Sequence, residues 1–187
     1  AKKRRALLLF EDESSFSQGG TLGYTWAPKG QQPIVKTSGK RSTYKVFGAI
    51  DFFTGWSLCQ GITENFNSQT YQVFLQKLLS ETSRHFFLIQ DGASYHTSKS
   101  TKLFFARHRR RITTYQLPSY SPDYNPIEYL WKNVKKRATH NKYFPKFENL
   151  TESVDEALAY CTNHPKKVTQ LMGVYCRSME IGSLLTA

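Results

Sequence analysis

Three features are scarce in this sequence: cysteine, long apolar runs and acidic side chains. The three cysteines, Cys59, Cys161 and Cys176, are odd in number, far apart and without a CxxC pair, which argues against a disulfide framework and a zinc ribbon. No apolar run approaches the length of about 18 residues that a membrane span needs. The apolar run after the basic start covers only residues 6–10, too short for the core of a signal peptide. We therefore expect a reducing, intracellular compartment.

Basic residues outnumber acidic ones. Lys and Arg total 26 against 14 Asp and Glu, which gives a net charge of +12 at pH 7 and favours a polyanionic partner such as nucleic acid. Hydrophobic residues make up 39% of the chain and aromatic residues 14%, which is too apolar for a disordered basic tail. The 187 residues suit one domain with its own core. We expect a single domain over residues 1–187.

Hydrophobic patterning predicts an α/β fold. Strands are predicted at 7–10, 43–53, 56–63, 85–90 and 112–117, the first stopping at the acidic residues 11–13. Helices are predicted from Asn67 or Ser68, from Ser98 to about Arg109, from Asn125, from Asn149, and after Pro165. Short connections allow antiparallel pairing of the first three strands, whereas strands joined through helices should be parallel. The result is a mixed five-stranded sheet flanked by helices.

A long connection follows the first strand. Residues 17–42 are rich in Gly, Pro, Gln, Lys and Ser, with Trp26 in the middle. This composition predicts a long loop or a loose hairpin inserted between two strands. Loops of this length in compact domains are usually functional.

Three acidic residues lie at the ends of predicted elements. Asp12 ends the first strand, Asp91 ends the strand at 85–90, and Glu128 lies in the first turn of the helix that Asn125 opens. Strand ends of an open α/β sheet converge on one edge, where ligand sites form. Three carboxylates gathered there would repel one another, and their natural partner is Mg²⁺ or Mn²⁺. With the basic composition, the implied chemistry is metal-assisted phosphodiester cleavage or transfer.

Each of these acids also has an ordinary explanation. A single acid after a strand is common, and Asp91 with Gly92 forms a frequent turn pair. Glu128 could close a capping box with Asn125 or pair with Lys132 on the helix surface. These alternatives stay open on the residues alone.

Two further carboxylates compete for a place in the site. Asp51 is better explained by the turn that ends at Gly55, and Asp123 by the loop that precedes the helix. Neither is expected to be the third acid.

Three sequence motifs carry a family resemblance. Asp12-Glu13-Ser14, the segment 90–96 (QDGASYH) and the segment 121–131 (SPDYNPIEYLW) resemble the three acidic motifs of mariner-type transposases and their bacterial insertion-sequence relatives. Their order and the 36 residues between Asp91 and Glu128 match the family pattern. The resemblance covers roughly residues 6–140. It implies an RNase H-like fold with a DDE triad of Asp12, Asp91 and Glu128 holding two Mg²⁺ ions, for which Mn²⁺ can substitute.

Two departures from the family pattern are visible. Gly92 stands where the family usually has Asn, which changes the turn beside Asp91. Family members also carry an N-terminal helix-turn-helix region that recognises the ends of the element, and we expect that this chain lacks it. Binding of the chain to DNA should then rest mainly on phosphate contacts, with little sequence choice.

Basic side chains near the motifs are candidates for DNA contact. The candidate DNA-binding residues are Lys36, Lys40, Arg41, Lys45, His96, Lys132, Lys135 and Lys136. The alternative for the lysines and Arg41 is an ordinary solvated surface, and for His96 a structural role. The resemblance also suggests that the insertion clamps a partner subunit through Trp26, Pro28 and Lys29.

The sequence therefore predicts the catalytic domain of a DDE transposase. It would cut DNA at transposon ends and join the freed 3′-hydroxyl to target DNA, with TA targets implied by the resemblance. A homodimer or larger assembly on DNA is expected, in the nucleoid or cytoplasm of a bacterium or in a eukaryotic nucleus, with no membrane contact. The alternatives are another RNase H-like nuclease, of resolvase or RNase H type, and a domesticated DNA-binding protein without catalysis.

Overall fold

The computed structural model describes residues 1, 6–37, 39–118 and 122–178, without the side chain of Pro122. The strands are β1 (Leu7–Ser17), β2 (Thr43–Asp51), β3 (Ser57–Ile62), β4 (Phe86–Gln90) and β5 (Ile112–Gln116). The α-helices are α1 (Ser68–Glu81), α2 (Lys99–Arg107), α3 (Ile127–Ala138), α4 (Phe147–Asn163) and α5 (Pro165–Ser178). A short 3₁₀ helix, Pro122–Tyr124, precedes α3.

The strands form one mixed sheet in the order β3-β2-β1-β4-β5. The first three strands pair antiparallel, while β4 pairs parallel with both β1 and β5. This confirms the predicted mixed five-stranded sheet. The central strand β1 is thereby bonded on both edges, so its side chains define the two faces of the molecule.

The prediction that β1 stops at the acidic residues is wrong. The strand continues to Ser17, and its pairing with β2 runs from Leu9 opposite Asp51 to Ser17 opposite Thr43. Partner hydrogen bonds from β2 hold the polar stretch extended, which local composition does not reveal. Asp12 therefore lies in the middle of a strand.

Alternation along β1 separates its side chains into two cores. Phe10 and Phe16 pack with α3, α4 and α5, whereas Leu7 and Leu9 pack with α1 and α2. Successive strand residues point to opposite faces, so Asp12 belongs to the α3 face. Glu11 and Glu13 belong to the α1 face.

Helix starts agree with the sequence only in part. The Asn67 side chain caps α1, as predicted. The helix predicted from Ser98 is present with Ser98 as its cap, and the helix predicted after Pro165 is present but includes Pro165 as its first residue. However, α4 begins at Phe147 rather than at Asn149. The Phe147 ring packs edge-on against Tyr44 of β2 at 6.3 Å between centroids, a tertiary contact that extends the helix toward its N-terminus.

The insertion between β1 and β2 is the long loop predicted. Its described residues contain no helix or strand beyond a single bridge between Thr21 and His140. The Asn141 amide bonds both backbone groups of Gly23, at 3.0 Å each. These contacts tie the start of the insertion to the connection between α3 and α4.

Within the described part of the chain, no helix is both long and apolar enough to span a membrane.

Candidate active site

Asp12 meets α3 through a tryptophan. The Trp131 indole donates from Nε1 to Asp12 Oδ2 at 3.0 Å, and its ring is buried in the α3-side core. Glu128 lies three residues before Trp131, on the same side of α3. Burial, then repulsion from Glu13 and Glu128, raises the pKa of Asp12 to about 7. Asp12 and Glu128 are thus near enough to repel each other.

Gly48 makes room for this contact. It lies opposite Asp12 in the pairing of β1 with β2. A Cβ atom at this position would lie 2.5 Å from Cη2 of Trp131. The glycine therefore allows the indole to lie flat over β2 and reach the Asp12 carboxylate.

Asn125 joins the start of α3 to β1. The sequence suggested that the Asn125 side chain caps α3, but it does not. The N-cap position belongs to Pro126. The buried Asn125 amide instead donates to the backbone carbonyl of Glu11 at 3.2 Å. The backbone carbonyl of Asn125 accepts a hydrogen bond from the backbone N–H of Glu128 at 3.1 Å. One residue thus fixes Glu128 relative to the strand that carries Asp12, and no capping box holds Glu128.

Asp91 follows β4 at the same sheet edge. The parallel pairing of β1 with β4 ends at Phe10 and Ile89, two residues before Asp12 on β1 and two residues before Asp91 in the segment after β4. The Asp91 side chain is 53% exposed. Its Oδ1 accepts from the backbone N–H of Ala93 at 2.9 Å and from Nδ1 of His96 at 2.9 Å. The His96 hydrogen bond is the main cause of a lowered Asp91 pKa.

A second polar cluster lies on the α1 face of β1. Nε2 of His96 is 3.0 Å from Glu13 Oε1 and 3.6 Å from Glu11 Oε2. One ligand atom from each of these residues lies within 4.8 Å of the others, close enough for a shared metal ion. Burial alone would lower the His96 pKa, but hydrogen bonds to Asp91 and Glu13 and the Glu11 charge raise it to about 11.

Glu11 is the unusual member of this cluster. It is fully buried, and neither carboxylate oxygen has a hydrogen-bond partner among the described residues. Burial, then repulsion from Glu13, raises its pKa well above the usual value. The favourable interaction of Glu11 is with the His96 charge.

The predicted triad is thus partly assembled. Asp12 and Glu128 lie near enough for their charges to repel, and the Asp91 carboxylate is turned toward His96. The donors are carboxylate oxygens, the ligands that Mg²⁺ and Mn²⁺ prefer. Burial first, and then repulsion from the neighbouring acids, raises the pKa of Asp12, and a divalent cation nearby would favour the charged form again. The residues therefore fit a hard divalent metal.

The competing acids are accounted for elsewhere. Asp51 accepts hydrogen bonds from the backbone and hydroxyl of Thr54, at 3.0 and 2.6 Å, and from the backbone of Leu8 at 2.8 Å. Gly55 completes this turn with a φ of 71°. Asp123 is exposed in the 3₁₀ helix.

The predicted DNA-contact residues lie in two groups. Near α3, the Lys132 ammonium lies 5.1 Å from the Tyr129 ring and that of Lys135 6.0 Å from the Phe16 ring. On β2, Lys45 donates to Asn65 and lies 6.0 Å from the Phe66 ring. The remaining lysines and arginine are exposed, namely Lys36, Lys40, Arg41 and Lys136.

His96 does not suit the phosphate contact that we predicted for it. Its side chain is fully buried and both ring nitrogens face carboxylates. This placement favours the structural alternative. In contrast, the predicted clamp residues Trp26, Pro28 and Lys29 are all exposed, and Trp26 is fully so.

Sequence reasoning missed two residues of the site. Trp131 was assigned to the core alone, although its spacing of three residues from Glu128 places it on the same helix face. Asn125 was assigned to a cap, and no signal in the sequence points to its contact with β1. Both act on the position of an acid rather than adding a charge.

Comparison with known proteins places the chain in a family of endonucleases. The family model described as "DDE superfamily endonuclease" matches residues 7–151. The Tc3 transposase of Caenorhabditis elegans is 31% identical over 160 residues, covering 80% of this chain and 48% of the relative. An IS630 insertion-element protein of Shigella sonnei is 31% identical over 137 residues, covering 72% of this chain and 39% of the relative. The chain spans about half the length of the curated relatives it matches.

Solved structures agree on the fold. A pre-cleavage Mos1 transpososome structure matches with a TM-score of 0.65 at 16% identity, covering 95% of this chain and 57% of that one. The catalytic core of bovine immunodeficiency virus (BIV) integrase matches with a TM-score of 0.54 at 13% identity, covering 94% and 97%. The sheet is therefore RNase H-like, as the resemblance implied. The chain belongs to the DDE superfamily of endonucleases, with the Tc1 and Tc3 transposases and the IS630 insertion-element protein among its relatives.

Proposed function

We propose that this chain is the catalytic domain of a DDE transposase, which cuts DNA at transposon ends and transfers the strand into a target. The observation that carries the proposal is the approach of Glu128 on α3 to Asp12 on β1, near enough for their charges to repel. Asp91 follows β4, the parallel neighbour of β1.

The acids and their neighbours have separate roles in this proposal. Asp12, Asp91 and Glu128 hold the metal ions, with Asp12 oriented by the Trp131 indole and Glu128 by Asn125. The three acids would hold two Mg²⁺ ions, or Mn²⁺ in their place, and the metal would supply activation of the attacking water or 3′-hydroxyl and stabilisation of the leaving oxygen. Target choice at TA steps is part of the same proposal and rests on the family resemblance.

DNA would be held by the basic residues near this edge. Lys132 and Lys135 lie four and seven residues after Glu128 on α3 and contribute the phosphate contacts closest to the acids. The insertion and the start of β2 supply further contacts from Lys36, Lys40, Arg41 and Lys45, and α3 supplies Lys136. DNA as substrate would place the protein in the nucleoid or nucleus.

The insertion is the proposed contact with a second subunit. Leu22, Tyr24, Trp26 and Ile34 are 83 to 111% exposed, an apolar surface that has no cover within the described chain. Trp26, Pro28 and Lys29 would clamp a second copy, so that two copies hold two DNA ends. Sedimentation of the protein with and without transposon-end DNA tests this. We expect the wild-type protein to sediment as a dimer on this DNA and the Trp26→Ala variant to sediment as a monomer.

A strand-transfer assay tests the catalytic proposal. A pre-cut DNA end with a free 3′-hydroxyl is incubated with supercoiled target and Mn²⁺, using wild type, Asp91→Ala, Glu128→Ala and Asp123→Ala. Joined products from wild type and Asp123→Ala alone are expected, because Asp123 shares the motif but lies outside the site. Nicking without joining would favour an RNase H-type nuclease. Equal activity of all four proteins would overturn the assignment of the site.

A further inference from the structure

His96 connects the proposed metal site to the opposite face of β1. Its Nδ1 lies 2.9 Å from Asp91 Oδ1 and its Nε2 lies 3.0 Å from Glu13 Oε1. Asp91 is at the sheet edge with Asp12, whereas Glu13 points to the α1 side. The imidazole thus bridges a carboxylate on β1 and a carboxylate in the segment that follows β4.

The ring is held rigidly in this place. It packs against Tyr71 of α1 at 4.4 Å and against Tyr95 at 4.6 Å between centroids. The Tyr71 hydroxyl donates to the Gln90 amide at the end of β4. The loop that carries the ring is closed by a hydrogen bond from the His96 N–H to the Ala93 carbonyl at 2.9 Å. A ring fixed on both sides can in turn fix what it bonds.

Its contact with Asp91 selects one carboxylate oxygen. His96 Nδ1 and the Ala93 N–H both engage Oδ1, and no hydrogen bond from a described residue reaches Oδ2. Two donors on one oxygen fix the orientation of the carboxylate, and its side chain, 53% exposed, stays accessible to a cation.

Charge balance explains why acids surround the ring. A positive imidazole beside Asp91 would by itself repel a metal ion bound to that carboxylate. Glu13 at 3.0 Å and the buried Glu11 at 3.6 Å offset this charge from behind. Glu11 has no other polar partner among the described residues, and its role in this arrangement is to offset the charge of the imidazole. The cluster can orient Asp91 without weakening its attraction for a cation.

We propose that His96 is a positioning residue that, backed by Glu13 and Glu11, fixes the Asp91 carboxylate for metal binding. The proposal rests on the proposed function, because it takes Asp91 to be a metal ligand. Groups that orient metal ligands typically change metal affinity by about 10- to 100-fold when they are lost. The effect expected of His96 is of that size.

Mn²⁺ binding to the metal-free protein, followed by water-proton relaxation, gives a readout besides activity. His96→Ala should weaken Mn²⁺ binding by about 10- to 100-fold. His96→Asn should recover part of the loss, because its amide nitrogen replaces the Nδ1 donor to Asp91. Thr101→Val is the matched control, since the buried Thr101 hydroxyl braces the same loop by donating to the Tyr95 carbonyl at 2.7 Å without touching an acid. It should bind Mn²⁺ like wild type even where its melting temperature falls.

Two further variants keep the test decisive. Glu13→Gln preserves shape and should weaken Mn²⁺ binding several-fold, which supports the proposal even where His96→Ala does not fold. Asp91→Asn reports on the metal site itself: wild-type affinity in this variant would overturn the proposed function, and the role of His96 with it.

Two results would overturn the role of His96. One is wild-type Mn²⁺ affinity in folded His96→Ala while Asp91→Asn is impaired. The other is Mn²⁺ binding that survives Asp12→Asn and Glu128→Gln but is lost in Glu11→Gln, which would make the cluster a metal site in its own right.

Discussion

The two faces of β1 carry the same kind of charge and treat it differently. On the α3 face, Asp12 is half-buried and repelled by Glu128, and its one described side-chain partner is the neutral Trp131 indole. On the α1 face, Glu11 and Glu13 are enclosed with His96, which supplies a cation from the chain. Within the described chain, the acids on the α3 face thus have no cationic side chain beside them, whereas the acids on the α1 face have His96.

We propose that this difference distinguishes a metal site from a supporting structure. A buried carboxylate without a counter-charge destabilises the fold, and a bound cation would offset that cost at Asp12. On the other face, His96 supplies a counter-charge to Glu11 and Glu13 from the chain itself. Alternation along a single strand is enough to build both.

The largest effect should come from removing a carboxylate on the α3 face of β1, here called the open face because its acids have no cationic side chain as a described partner. Glu128→Gln should lower metal-dependent DNA cleavage by at least about 10³-fold, because the amide cannot replace a charged metal ligand. Cleavage rates measured at saturating Mn²⁺ test this. Asp123→Asn, in the same motif but exposed, should stay within about twofold of wild type. Equal cleavage rates of Glu128→Gln and Asp123→Asn would contradict the assignment of Glu128, and not Asp123, as a metal ligand.

Gly48→Ala should disturb the open face from β2. The new Cβ atom would displace the Trp131 ring, which it would approach to 2.5 Å, and overpacking of this kind costs about 1–3 kcal/mol. Denaturant unfolding measures the loss. Gly19→Ala is the control, since a Cβ atom there would meet nothing closer than 3.6 Å. Equal stabilities of the two variants would mean that the indole position is not constrained.

Asp12→Asn should stabilise the metal-free protein above neutral pH. The folded-state pKa of Asp12 is raised to about 7, so its ionisation costs stability progressively between pH 4 and 7, and the whole cost is present above pH 7. Removing the charge should gain roughly 1–2 kcal/mol at pH 8 and little at pH 4. Denaturant unfolding in EDTA at both values tests the sign.

The same variant sharpens the comparison between the faces. Mn²⁺ should raise the melting temperature of wild type and of Glu11→Gln, but not that of Asp12→Asn, because a ligand stabilises only the protein that binds it. A Mn²⁺ response lost in Glu11→Gln and kept in Asp12→Asn would reverse the roles of the two faces.

The smallest effect should come from single lysines on α3. Lys135→Ala should weaken DNA binding several-fold and lower the slope of log affinity against log salt by about 1, as for one lost phosphate contact. Lys102→Ala, exposed on α2, is the matched control and should leave the slope unchanged. Fluorescence anisotropy at several salt concentrations distinguishes the two.

Much of this architecture follows from local patterns. The helix at 68–81 has a capping asparagine and apolar residues at helical spacing, and each predicted strand is present. Asp12, Asp91 and Glu128 could be picked out because each falls near the end of an apolar segment. These are short-range signals, and the sequence contains them in full.

The remainder depends on contacts between distant segments. The extension of β1 through Asp12 depends on pairing with β2, more than 30 residues away. Asn125 looks like a cap, yet its amide bonds the Glu11 carbonyl 114 residues away. His96 looks like an exposed loop residue near a DNA site, and only packing between α1 and β1 makes it a buried bridge. Local pattern carries no information on these partners.

Anomalous diffraction from crystals soaked in Mn²⁺ tests the central claim most directly. The account predicts peaks within about 2.0–2.4 Å of oxygens of Asp12, Asp91 and Glu128, with His96 still bonded to Asp91 and no peak among Glu11, Glu13 and His96. A peak inside that cluster, with the Asp12 and Glu128 carboxylates unliganded, would contradict it.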